Sequence, residues 1–97
     1  MAFDMYLKSE KVSIEHYEEN LFLLINEDNE YPKLMELWEN YYNGPRINPS
    51  EANDMAHELI RLRSIVDDKP ILSVVDKLLP FFSKAYKLQE VIKCVSD

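Results

Sequence analysis

Ninety-seven residues, 46% of them hydrophobic and 30% charged, describe one globular domain with too little interior for a deep cofactor cavity. The single cysteine, Cys94, excludes an internal disulfide and a multi-thiolate zinc site. A net charge of −7 disfavours nucleic acid and anionic membrane as partners and favours basic proteins.

The charge is unevenly placed. From Glu10 to Glu39, Glu10, Glu15, Glu18, Glu19, Glu27, Asp28, Glu30, Glu36 and Glu39 face only Lys11 and Lys33, and the remainder of the chain balances. The opening Met1-Ala2-Phe3-Asp4-Met5-Tyr6-Leu7 carries an acid where a secretory leader carries lysines, so the expected location is the cytoplasm. The continuous apolar run from Leu21 to Ile25 is far shorter than the roughly 20 residues of a membrane span.

Ala2 to Leu7 alternates, with Phe3, Met5 and Leu7 on one side, which is a strand pattern. Ser13 is placed to cap a first helix running to about Asn26, with Ile14, Tyr17, Leu21, Leu24 and Ile25 on its apolar stripe. Glu27-Asp28-Asn29-Glu30 forms a polar break. Pro32 suits the first turn of a second helix, faced by Leu34, Leu37, Trp38 and Tyr41 and ended by Asn43-Gly44-Pro45.

Asn48-Pro49-Ser50-Glu51 carries a helix cap, a first-turn proline and a capping-box glutamate. Ala52, Met55, Ala56, Leu59, Leu62 and Val66 then form a buried stripe. Pro70 opens a fourth helix with Ile71, Val74, Val75 and Leu78 inward, and Pro80 is expected to kink or split it. From Glu90 to Val95 β-branched residues are dense, and this segment can pair with the N-terminal strand. The expected fold is mostly α: a compact bundle of four or five helices, to which the termini add at most a small two-stranded β ribbon.

No catalytic constellation stands out. His16 and His57 lie in no metal-ligand spacing, and His57-Glu58 lacks the second histidine of a zinc-protease helix. Cys94, flanked by Lys93 and Val95, reads as a buried small hydrophobe. No phosphate loop, dinucleotide fingerprint or nucleophile elbow is present, and no cofactor or metal is implied. The basic residues form no net-positive stripe of the kind that tracks nucleic acid.

The acidic, aromatic region remains. Carboxylates on rigid helices suit lysines and arginines of a partner, and tyrosines add contact area and a hydroxyl. The candidate contact residues are Glu18, Glu19, Glu27, Asp28, Glu30, Tyr31, Glu36, Glu39 and Tyr42. Tyr42 falls off the apolar stripe and Tyr31 lies in the acidic turn, so both are expected to be exposed. Trp38, at helical spacing with Leu34, is expected in the core. A solvated helical surface kept soluble by its charge accounts for the same acids equally well.

The opening Met1 to Leu7, the segment Leu78-Leu79-Pro80-Phe81-Phe82-Ser83-Lys84-Ala85-Tyr86 and the close Ile92-Lys93-Cys94-Val95-Ser96-Asp97 resemble small acidic bacterial immunity proteins of contact-dependent growth inhibition (toxin-immunity) systems. The resemblance implies a non-enzymatic protein that binds a cognate toxin domain and covers its active site. Charge makes that toxin a basic nuclease, a ribonuclease first. The alternative is a phage or plasmid accessory protein that mimics nucleic acid or bridges regulatory proteins.

Overall fold

The computed structural model describes residues 2–8, 10–25 and 30–96. Strand β1 (Ala2–Leu7) keeps the alternation of its sequence: Phe3, Met5 and Leu7 are buried, whereas Tyr6 on the other side is exposed. Lys8 then takes a left-handed conformation (φ 53°), and the chain doubles back as β2 (Glu10–Glu15), antiparallel to β1 with Met5 opposite Val12.

Ser13 therefore lies in a strand and caps nothing. Its hydroxyl donates to Asp4 Oδ1 across the ladder at 2.6 Å. Two periods are joined in this stretch. Val12 and Ile14 alternate, and helical spacing begins only with the 3-10 turn His16–Glu19 and the short helix α1 (Asn20–Ile25). Glu15 caps that turn, reciprocally with Glu18.

Helix α2 (Pro32–Glu39) ends at Asn40, and Gly44 in the left-handed region (φ 58°) leads into the two-residue strand β3 (Arg46–Ile47). Helix α3 (Pro49–Arg63) starts as its sequence signals: Asn48 Oδ1 accepts from the Glu51 amide at 2.9 Å, and Glu51 Oε1 accepts from the Asn48 amide at 3.3 Å.

Helix α4 (Lys69–Leu88) is capped by Asp68 and closes with Gln89 in the left-handed region (φ 55°). Pro80 does not split it. The proline sits on the exposed side, and buried residues before it (Val74, Val75, Leu78) and after it (Phe81, Phe82, Ala85) hold both halves on the core.

Strand β4 (Ile92–Ser96) enters between β1 and β3, antiparallel to both, and the sheet order is β2-β1-β4-β3. This is an α+β fold with a four-stranded antiparallel sheet, not a helical bundle with a terminal ribbon. A two-stranded ribbon is marginal in water. Here β1 is paired along both edges, and its inner residues join Ile14, Ile47, Ile92 and Cys94 beneath the helices.

Each large aliphatic or aromatic side chain fully buried in that layer contributes about 1.5–3 kcal/mol. Among the described residues no helix covers the other sheet face: Tyr6, Lys11, Lys93, Val95 and Arg46 are all exposed there. Helix α4 runs beside the outer strand, where Lys84 meets Glu10 at 2.5 Å and Lys77 meets the Ser13 carbonyl at 2.6 Å.

Candidate protein-binding surface

The structure divides the acidic candidates into an inward and an outward set. Glu18 and Glu19 belong to the first. Glu18 Oε1 accepts from Lys77 Nζ at 2.6 Å and from the Glu15 amide at 2.9 Å, so it ties the 3-10 turn to α4. Glu19 lies 3.5 Å from His16 Nδ1 and is largely covered.

Tyr41 packs behind Glu19, stacked on Phe3 with ring centroids 4.0 Å apart. Burial, and then the neighbouring Glu19 charge, push its phenol above the ordinary range, so it stays protonated. Among the described residues, its hydroxyl meets no partner in hydrogen-bonding geometry, although Glu19 faces it.

The outward set is carried by α2 and its flanks. Leu34 and Leu37 anchor the helix inward, and Trp38 stacks on Phe22 at 5.0 Å as partly buried core. That packing turns Glu36 and Glu39 to solvent. Glu36 has Lys33 at 3.6 Å. Tyr42 is 64% exposed and packs edge-on against Tyr41 at 5.4 Å, a supported ring with one free side. Glu30 is exposed, and its carbonyl accepts from Arg61.

Tyr31 does not belong to this surface. It is 0% exposed, because it precedes Pro32 at the start of α2 and turns into the core. Its charged neighbours concealed that role. Glu27 and Asp28 lie outside the described residues.

Folding adds acids that the sequence does not connect with α2. The open cleft between α2 and α3, about 510 Å³, is lined by Glu30, Lys33, Asp54, His57, Glu58 and Arg61. A smaller one, about 40 Å³, brings Glu36 and Asn40 beside Arg46 and Glu51. Glu51 and Asp54 come from the electrically balanced part of the chain. Their spacing of three on the exposed side of α3 is the one sequence signal that could have placed them on a surface.

His57 and the 5% exposed Glu58 share the larger cleft, which raises the question of acid–base chemistry. Both Glu58 oxygens are engaged: Oε2 accepts from the Lys33 amide and Oε1 from the Leu34 amide, each at 3.0 Å. The carboxylate thus caps α2 from α3 and complements the helix dipole. Among the described residues no group of three or more His, Cys, Asp or Glu side chains is placed to hold a metal.

Cys94 is buried, and burial pushes its thiol up to about 12. What the surface offers is a line of carboxylates and a supported tyrosine, suited to pairing with lysines and arginines.

No protein-family model matches the chain, and comparisons with curated proteins and with solved structures find no match. Among the described residues no helix is long and apolar enough to cross a membrane.

Proposed function

We propose that this chain is a non-catalytic immunity protein that neutralises a basic toxin domain, with the outward face of α2 as its contact surface. The observation that carries the reading is the exposure of Glu36 and Glu39 on α2 and of Tyr42 in the turn that follows it, with Glu30, Glu51 and Asp54 lining the clefts beside them. A nuclease, and a ribonuclease first, is the partner class whose cationic substrate groove such carboxylates would occupy in place of phosphates. Glu18 and Glu19 act in this reading as internal supports that hold the turn and Tyr41 beneath Tyr42.

The test is co-purification with the product of the gene immediately upstream, at low and high salt. A one-to-one complex that weakens with salt is expected, together with inhibition of that protein's nuclease activity. The double variant Glu36→Lys/Glu39→Lys is expected to lower affinity at least about tenfold, with most of the loss in association rate. Unchanged affinity and salt dependence in a folded variant would remove α2 from the interface.

A further inference from the structure

The strand register places four exposed side chains in one row across the bare sheet face: Lys11, Tyr6, Lys93 and Arg46, one from each strand. Lys11 Nζ lies 6.0 Å from the centre of the Tyr6 ring and 4.0 Å from Asp4 in the adjoining row. Lys93 and Arg46 stand directly opposite each other, and among the described residues neither has an ion pair. Arg46 also borders the small cleft beside Glu36, without pairing to it. Like charges directly opposite on neighbouring strands are destabilising. A chain with 18 acids nevertheless places two uncompensated cations there.

We propose that this row is a docking surface for an acidic helix of a partner protein. Strands about 4.8 Å apart spread the row over about 14 Å. A helix with carboxylates at i, i+4 and i+7 sets them along about 10 Å, within reach of lysine and arginine side chains. Tyr6, 38% exposed between Lys11 and Lys93, supplies a flat contact for the stems.

A polynucleotide fits the face less well. Asp4 occupies the adjoining row and Glu15 the one beyond it, a single ring makes a poor stacking platform, and the −7 chain repels an extended polyanion. The row meets the acidic face of α2 only at Arg46, and the proposal stands whether or not that face binds a toxin.

The experiment is an NMR titration of the full chain at low salt with an alanine-rich helical peptide carrying glutamates at i, i+4 and i+7, set beside oligo-uridylate RNA of equal charge. Amide shifts centred on Tyr6, Lys11, Arg46 and Lys93 are expected with the peptide and should vanish on adding salt. Lys93→Glu is expected to weaken peptide binding at least about tenfold. It should raise the melting temperature, because it turns a repulsive cross-strand pair into an attractive one. Arg46→Glu should act in the same way. Absence of shifts at the row, or peptide binding unchanged in both variants, would overturn the proposal. Oligo-uridylate binding the row as tightly as the peptide would also overturn it, with nucleic acid as the occupant.

Discussion

Glu58 is the one buried charged side chain among the described residues, and its position explains why burial is tolerated. It satisfies two amides that a helix start leaves without partners, and it does so from another helix, so one residue both caps α2 and fixes α2 against α3. Glu58→Ala should cost about 2–3 kcal/mol, since two buried donors lose charged acceptors. Glu58→Gln, which keeps one acceptor oxygen, should cost less. Urea unfolding followed by Trp38 fluorescence would measure both, because Trp38 sits on α2.

Cys94 gives a pH-dependent counterpart. Its native thiol, held up to about 12, binds its proton more tightly than the unfolded thiol, whose ordinary value is 9.0. The resulting stabilisation is complete below the unfolded value and is lost as pH rises toward the folded one. Between them the wild type should lose about 1.4 kcal/mol per pH unit relative to Cys94→Ala. Melting temperatures of the two proteins across that window would show the difference narrowing.

Among the elements, α2, α3 and α4 were legible because their starts are written locally: Pro32, the Asn48–Glu51 box, and Asp68 before Pro70. β2 was not, because Ser13-Ile14-Glu15 imitates a helix start and the turn before it uses Lys8 rather than glycine. Only the presence of β1 alongside makes Glu10–Glu15 a strand. β3, two residues long, has no pattern to read and exists through Ile92 and Lys93.

The candidate surface was legible to the same extent. The exposure of Glu36 and Glu39 follows from the helical period of α2, and that of Tyr42 from its place off the apolar stripe, whereas buried Tyr31 and the lysine held by Glu18 depend on tertiary packing. Within α4, Pro80→Ala should stabilise the protein by about 1–2 kcal/mol by restoring a helical hydrogen bond on an exposed side. Thermal unfolding would report it.

Over the whole molecule, charge and architecture coincide. The helical side collects the acids of α2 and early α3, and the bare sheet side collects a short cationic row, so a net charge of −7 conceals two surfaces of opposite character. The latch of Lys77 and Lys84 along β2 matters at the same scale, because an unguarded outer strand invites pairing with another chain. Lys77→Gln/Lys84→Gln should therefore increase concentration-dependent association, which sedimentation velocity would detect.

The placement of β4 between β1 and β3 also sets a schedule. Phe3 pairs with Ser96, so the central ladder joins residues from the two extremes of the described chain. During synthesis, β1 and β2 emerge early but wait for β4 before the sheet can close, and Phe3 and Met5 remain uncovered meanwhile. Such a chain gains little from folding piecemeal on the ribosome. Its period of greatest exposure to proteases and chaperones lasts until residue 96 is free, and a stalled ribosome a few codons earlier would hold an unfinished sheet.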